Sequence, residues 1–339
     1  MGKLILTLDG GGIRGAASTE FLHKVESKLK ARHGVALRDC VDYFAGTSTG
    51  AIIALALATT DMPVERINRL YNHRSGREVF QRNRGFFEID GINAPKYEGA
   101  GKTRFLRRWF QDATLASAAE KARHVLTVTF AVERHQPLVL KSHHPDHAAL
   151  KSSAVADATS AAPTYFPSRP VNLGPAASQS WLIDGGVVAN NPTLCAIAEA
   201  QHLWPDLAKK DLRVLSIGTG KRTRKINGPA TTQWGAFQWI RQGQIIDVLS
   251  DEQLVAYQAK SLVTEGNYIR VNASMCAQPG LKSPPDDAMD DYSKDNIALL
   301  KQMGDFWFKQ YGEATIALLL NHYQGRSLDA IDPATGEPG

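Results

Sequence analysis

Apolar runs of strand length alternate along this chain with segments whose apolar residues recur at helical spacing. Leu4–Leu8 predicts a first strand, and residues 16–31 predict the helix that follows it. The same order returns at Val41–Ala45, which precedes AIIALALATT, a stretch apolar nearly all round and typical of a buried helix. Strands that alternate with helices in this way indicate an α/β fold with a mainly parallel central sheet.

The rest of the chain continues this order without an internal repeat or an interdomain linker. We therefore predict one domain over residues 1–312, followed by a helix end and a flexible tail at 313–339. Loops are expected at 171–180 and 278–287. Further strands are predicted at 124–133, 137–142, 181–186 and 213–220, and further helices at 192–203, 236–263 and 294–320.

Two aromatic segments are open to more than one interpretation. KTRFLRRWF, residues 102–110, is amphipathic and predicts a surface helix whose Phe105, Leu106, Trp109 and Phe110 pack inward. QWGAFQWI, residues 233–240, would suit a bilayer interface, but a buried helix contact is the favoured interpretation.

Composition and charge narrow the class of protein. With 339 residues, 43% of them hydrophobic and 22% charged, the chain can bury a large core and is not extensively disordered. A net charge of +5 allows an acidic partner without indicating a nucleic acid polymer. Three widely spaced cysteines fit a reducing compartment, and no apolar run reaches the roughly 18 residues of a spanning helix. We expect a cytoplasmic protein that associates peripherally with a membrane surface, and a homo-oligomer stays open.

The first strand ends in DGGGIRG, where Gly10, Gly12 and Gly15 have the G-x-G-x-x-G spacing of a dinucleotide-binding turn. That interpretation requires an acidic residue at the end of the second strand to bind the ribose. Here the nearest acids, Asp39 and Asp42, lie before that strand or at its start. The nucleotide interpretation therefore loses its main support.

GTSTG at residues 46–50 has the G-x-S-x-G pattern of a nucleophile elbow and lies between a predicted strand and a predicted helix. Gly46 and Gly50 allow the sharp turn that exposes the Ser48 hydroxyl. The amino end of the next helix favours negative charge nearby. Ser48 is the candidate nucleophile.

The glycine loop then suits another purpose. Loops that follow neighbouring parallel strands meet at one edge of the sheet, so the amides of Gly10, Gly11 and Gly12 are expected to face Ser48. Such amides bind the oxyanion of acyl transfer, and Arg14 would add positive charge. The loop is predicted to be an oxyanion hole.

Asp184, in WLIDGG, is the candidate base because it ends a predicted strand before Gly185 and Gly186. An ordinary aspartate, with a pKa of about 3.9, is a weak base at neutral pH, so we expect burial to raise its pKa. A Ser–Asp–His triad is the alternative. Of the histidines after Asp184, His202 lies at the far end of its helix and His322 near the tail, so a Ser48–Asp184 dyad is preferred.

Together these motifs resemble the patatin-like phospholipase family, whose pattern is D-G-G-G-x-R-G, G-x-S-x-G and D-G-[GA]. All core positions match, and ATSAAPTYFP, DGGVVANNP and LSIGTG add to a likeness over residues 4–310. The resemblance implies a three-layer α/β/α fold and calcium-independent hydrolysis of phospholipid acyl esters by a Ser–Asp dyad at the carboxyl edge of the sheet. It implies no cofactor.

A narrower resemblance is to the phospholipase effectors of antiphage defence, which are activated by cyclic nucleotides. The basic loop GKRTRK offers Lys221, Arg222, Arg224 and Lys225 as contacts for a lipid phosphate or a cyclic dinucleotide, although a solvated loop fits equally well. An acyltransferase, a nucleotide-binding module and a storage or scaffold protein stay open as alternatives. HHPDH, residues 143–147, carries metal-ligand residue types but lacks a partner cluster, so no metal site is expected.

Overall fold

The computed structural model describes residues 2–83, 94–174, 179–223, 225–235, 238–239 and 252–339. Within these ranges, eight strands form one sheet. They are β1 Lys3–Leu8, β2 Tyr43–Thr47, β3 His124–Ala131, β4 Gln136–Lys141, β5 Arg169–Asn172, β6 Gln179–Asp184, β7 Leu212–Ile217 and β8 Tyr268–Val271.

Hydrogen-bonded neighbours run in the order β5-β6-β3-β2-β1-β7-β8, and β4 also pairs with β3. The five strands from β3 to β8 along this path are parallel, whereas β4, β5 and β6 join by antiparallel pairing. The parallel strands are buried almost throughout, as expected for strands covered on both faces. The central sheet is therefore mostly parallel, as the sequence predicts.

Helices cover both faces of the sheet. They are α1 Gly15–His33, α2 Thr49–Thr59, α3 Val64–Leu70, α4 His73–Val79, α5 Ala100–Phe110, α6 Ala116–Ala119, α7 Pro145–Ala148, α8 Ser152–Thr159, α9 Gly186–Ala189, α10 Thr193–Leu203, α11 Gln253–Leu262 and α12 Lys294–Leu319. The larger core, which includes Phe21, Phe44 and Trp307, lies between the sheet and α1, α2 and α12. The smaller core joins the other face to α10 and α11. The three-layer α/β/α arrangement is confirmed.

Among the described helices, none combines the length and the apolar character that crossing a bilayer requires. The two that are long enough, α1 and α12, both carry several charged residues, and they pack against each other.

Two strands lie where the sequence predicted none. β5 falls partly in the predicted loop at 171–180, and β8 follows α11 after a turn at Gly266. Both are four residues long, too short for a clear alternation of apolar and polar positions, and only the pairing with β6 and β7 defines them. Of the helix predicted at 236–263, α11 is described, while residues 236, 237 and 240–251 lie outside the described ranges.

For residues 313–339 the sequence predicts a helix end followed by a flexible tail. α12 continues to Leu319, close to the predicted helix end at 320. Beyond it, Leu328 forms a bridge with Ile269, and the buried Ile331 forms one with Ala273. The last residues thus cover the β8 edge of the sheet, which would otherwise expose unpaired backbone groups.

A buried ion pair joins the start of the glycine loop to the far side of the sheet. Asp9, directly after β1, and Arg270 on β8 are each 1% exposed. Arg270 Nη1 lies 3.0 Å from Asp9 Oδ1, and Nη2 binds the other carboxylate oxygen. Arg270 Nη1 also donates to Ser216 Oγ on β7 at 2.9 Å. The pair fixes where the chain leaves β1.

Arg270→Met is expected to lower the free energy of unfolding by about 3–5 kcal/mol, because it leaves the Asp9 charge buried without its partner. Urea unfolding at pH 7 followed by circular dichroism measures the loss. Arg69→Met is the control, since it removes an exposed Arg–Glu pair on α3 and should cost about 0.5 kcal/mol or less. Equal losses in the two variants would contradict the structural role of Arg270.

Candidate active site

The turn between β2 and α2 holds Ser48 in a backbone conformation that L-residues rarely adopt, with φ 53° and ψ −122°. Such a conformation costs about 1–3 kcal/mol and persists only where the surroundings impose it. Neighbouring glycines permit it: a Cβ at Gly46 would lie 2.4 Å from the Ala51 backbone, and one at Gly50 would lie 2.1 Å from the Leu8 carbonyl oxygen. The backbone thus makes the sharp strand-to-helix turn that the G-x-S-x-G pattern predicts.

Asp184 ends strand β6, as expected, but β6 runs antiparallel to β3 and so approaches Ser48 from the opposite direction. β4 pairs with β3 residues 126–131 along one edge, so β2 and β6 share the other edge. There Thr47 pairs with Val128 and Asp184 pairs with the next residue, Thr129. The two strands therefore meet end to end, which brings Ser48 beside Asp184.

The Asp184 carboxylate is almost completely buried, with 5% of the residue exposed. Burial raises the pKa of Asp184 to about 6, against the lowering effects of hydrogen bonds from the Gly186 amide and the Ser48 hydroxyl and of the Lys102 charge. The Gly186 amide donates to Asp184 Oδ1 at 2.7 Å. The carboxylate is thus within hydrogen-bonding reach of the Ser48 hydroxyl, and its pKa lies above that of an ordinary aspartate, as expected from burial.

Gly185 and Gly186 shape the turn after Asp184. A Cβ at Gly185 would lie 2.2 Å from the Val128 carbonyl oxygen, and one at Gly186 would lie 3.1 Å from Asp184 Oδ1. Both glycines let the turn pack against β3 and against the carboxylate that it supports.

The glycine loop lies against Ser48, as predicted. A Cβ at Gly10 would be 3.2 Å from Ser48 Cβ. The Gly10 amide, however, donates to the Asn190 carbonyl oxygen at 3.1 Å, so the prediction that it serves an oxyanion does not match its hydrogen bonding. Within the described ranges, the Gly11 and Gly12 amides donate no hydrogen bond to another protein group. These two amides are the available donors of the loop.

Arg14 supports the loop through its backbone carbonyls. Its Nε donates to the Gly11 carbonyl oxygen at 3.2 Å, and its Nη1 donates to that of Gly220 at 3.1 Å. The side chain is buried and ties the loop to the end of β7. These contacts hold the backbone of the glycine loop in place; the predicted contribution of the Arg14 charge to an oxyanion hole stays a prediction.

An apolar cavity of about 120 Å³ opens at Ser48 and Asp184. It lies on the α2 face of the sheet, and its polar lining at the catalytic end includes Lys102 and Ser160. Helices α2, α3 and α5 supply much of its wall, including Ile52, Ala56, Ile67, Leu70, Phe105 and Leu106. The inward packing predicted for residues 102–110 is confirmed, and this packing forms the cavity wall.

Other candidates from the sequence do not join this cavity. Among the described lining residues there is none from the basic loop and neither His202 nor His322. In that loop the Lys221 ammonium binds Gln253, and Arg224 lies outside the described residues. HHPDH is not part of a group of three metal-ligand side chains within the described residues. In QWGAFQWI, Trp234 and Trp239 contact each other edge-on, and Phe237 is not described.

Lys102 was not among the residues predicted for the site. It is 2% exposed and lines the cavity near Asp184. The helical spacing of 102, 105, 106 and 109 puts it on the same face as the apolar residues that were expected to pack inward. A lysine on the buried face of an amphipathic helix was the available signal.

The reactivity of Ser48 should follow the ionisation of Asp184. Asp184 accepts the serine proton only as a carboxylate, so we expect the rate of Ser48 labelling by a fluorophosphonate probe to rise with pH about a midpoint near 6. The probe is followed by mass spectrometry across pH 4–9. Asp184→Asn should remove this rise, and a wild-type midpoint near 4 would contradict the effect of burial.

Comparison with known proteins places this geometry in a family. A family model described as patatin-like phospholipase matches residues 6–197. Patatin-like protein 2 of Oryza sativa subsp. indica is 28% identical over 342 residues, covering 89% of this chain and 82% of that protein. Calcium-independent phospholipase A2-gamma of Mus musculus is 26% identical over 317 residues, covering 89% of this chain and 39% of that protein.

A search of solved structures gives a weaker likeness. The crystal structure of VipD from Legionella pneumophila has a TM-score of 0.49 and 12% sequence identity, and the match covers 95% of this chain and 67% of that one. The family match is the decisive finding, since it spans more than half of the chain and contains the glycine loop, Ser48 and Asp184. This chain belongs to the patatin-like phospholipase family and is a lipid-hydrolysing enzyme.

Proposed function

We propose that this enzyme cleaves acyl esters of membrane phospholipids, with Ser48 as nucleophile and Asp184 as general base. The observation that carries the proposal is the end-to-end meeting of β2 and β6 at the mouth of an apolar cavity. The cavity suits a fatty acyl chain, because its wall is formed mainly by apolar side chains. The name of the related calcium-independent phospholipase A2-gamma agrees with this substrate class.

In the proposed reaction, Asp184 takes the Ser48 proton while Oγ attacks the ester carbonyl carbon. The amides of Gly11 and Gly12 hold the oxyanion, and Asp184 returns the proton to the leaving alcohol as the carbon–oxygen bond breaks. Water then attacks the acyl-enzyme with Asp184 again accepting a proton. Ser48 is regenerated and the fatty acid is released.

Ser48→Ala and Asp184→Asn should each abolish fatty acid release from a fluorogenic phospholipid, since one lacks the nucleophile and the other the base. Each purified variant is compared with a matched control, Ser153→Ala on α8 and Asp305→Asn on α12, whose activity should stay near that of the wild type. Circular dichroism checks the fold. Full turnover in either dyad variant would refute the mechanism.

Product analysis separates the alternatives. Acyl transfer to an acceptor other than water would support an acyltransferase. Stoichiometric dinucleotide binding without ester hydrolysis would support a nucleotide-binding module, and neither activity would indicate a storage or scaffold protein.

The proposal includes peripheral association with a phospholipid surface in the cytoplasm. Strand β6 begins beyond the end of β3, where the Val132 amide donates to the Trp181 carbonyl oxygen at 2.9 Å. Trp181 lies three residues before Asp184, about 10 Å along the strand. Trp181 is 44% exposed and Val132 is 43% exposed, and Val188 on α9 is also exposed. Tryptophan favours the boundary between lipid and water, so this group suits membrane contact.

Trp181→Ser is expected to weaken binding to phospholipid vesicles several-fold while leaving hydrolysis of a soluble short-chain ester unchanged, because it removes interfacial area and not the dyad. Co-sedimentation with phospholipid vesicles measures binding, and hydrolysis of the soluble short-chain ester measures activity. Tyr257→Ser, which removes an exposed aromatic on α11, is the control. If Trp181→Ser binds vesicles as tightly as the wild type, the proposed membrane-contact surface is wrong.

Activation by a cyclic dinucleotide, and with it a role in antiphage defence, stays a prediction that rests on the positive charge of the basic loop. The described members Lys221, Arg222 and Lys225 offer cations suited to phosphate. The phospholipid assay with a panel of cyclic dinucleotides tests it: faster hydrolysis with one of them supports the activator, and equal rates with and without them oppose it.

A further inference from the structure

Lys102 on α5 is a cation buried at the catalytic end of the cavity, and the mechanism above assigns it no part. Its Nζ lies 3.0 Å from the Asp157 carbonyl oxygen, 2.7 Å from the Ser160 carbonyl oxygen and 3.0 Å from Ser160 Oγ. The Asp157 carboxylate oxygen Oδ1 is 3.2 Å away. The three hydrogen-bonded oxygens match the three hydrogens of an ammonium group, and the carboxylate adds an ion pair.

The segment that Lys102 binds contacts the backbones of both dyad residues. Two residues after Asp157, the Thr159 hydroxyl accepts the Ser48 amide hydrogen at 3.2 Å. The Asp184 amide donates to the Ala161 carbonyl oxygen at 3.0 Å. Residues 157–161, which end α8 and continue beyond it, therefore bridge the ends of β2 and β6. By holding the carbonyls of this segment, Lys102 fixes the support that the two strand ends share.

The charge of Lys102 also acts on Asp184. Burial lowers the pKa of Lys102, while the Asp157 and Asp184 carboxylates favour its charged form. In turn, the Lys102 charge opposes part of the rise that burial causes in the pKa of Asp184. Asp157 offsets part of the positive charge, and Arg169 on β5 offsets part of Asp157 by an ion pair with Nε at 3.0 Å. The groups facing the dyad carboxylate are thus the Ser48 hydroxyl, the Gly186 amide and Lys102 with its counter-ion.

We propose that Lys102 is a positioning residue for the dyad, which clamps the segment 157–161 beneath Ser48 and Asp184 and keeps the Asp184 carboxylate ionised. This inference rests on the proposed roles of Ser48 and Asp184. In a buried site, a nearby cation offsets the cost of charge on the base. Burial makes Asp184 a stronger base, and the Lys102 cation keeps its carboxylate ionised at neutral pH despite that burial.

The test is the pH profile of kcat/KM for a soluble ester. Lys102→Met should move the acid limb to higher pH by about 0.5–1 unit, so the loss is larger at pH 6 than at pH 8.5. Asp157→Asn should move the limb to lower pH, because the positive charges of Lys102 and Arg169 lose their counter-ion. Lys141→Met is the matched control: it removes a partly buried, ion-paired lysine on β4 and should leave the limb in place.

Opposite movements of the acid limb in Lys102→Met and Asp157→Asn establish the charge effect, which a purely structural role would not produce. An unchanged limb in either folded variant, or movement in the same direction in both, overturns the proposal. If Lys102→Met does not fold, Asp157→Asn alone decides, since its limb must move to lower pH. A wild type without esterase activity would instead refute the proposed function, so the two failures are distinguishable.

Discussion

The strained turn at Ser48 is the constraint on which the site depends. The turn can form only because α2 begins hard against the ends of β1 and β2, at distances that glycine alone permits at positions 46 and 50. The same closeness places the helix amino end and the glycine loop beside the hydroxyl. Backbone strain of about 1–3 kcal/mol is sustained by the packing of two buried strands and a buried helix.

The second requirement is a base of the right strength, and burial supplies it. Removing water from around a carboxylate raises its pKa. The group is then a stronger base, but its ionised form is also less favourable. The surroundings of Asp184 balance the two with an amide donor, the serine hydroxyl and a buried cation. Two buried ion pairs lie at the edges of the site. Asp9–Arg270 holds the start of the glycine loop, and Lys102–Asp157 holds the segment 157–161. Each pair restricts the position of a segment that touches Ser48.

Sequence pattern predicts the parallel centre of this fold well, since long apolar strands and periodic helices carry strong local signals. It predicts the short strands β5 and β8 poorly, because four residues show too little periodicity and their conformation depends on neighbours distant in the chain. The motifs around Ser48 and Asp184 were recognisable for a similar reason: sharp turns require glycine, and glycine is visible in the sequence.

By itself the sequence determined the layered α/β architecture, and it supplied Ser48, Asp184 and the glycine loop as the candidates for nucleophile, base and oxyanion hole. Only the tertiary structure decided that β6 approaches from the opposite direction and stops one residue beyond the end of β2 on the shared edge of β3. It also decided that the Gly10 amide is already bonded, that Arg14 holds carbonyls, and that Lys102 is buried. The physical reason is that strand direction, hydrogen-bond partners and burial are set by segments far apart in the chain, whereas turn chemistry and periodicity are local.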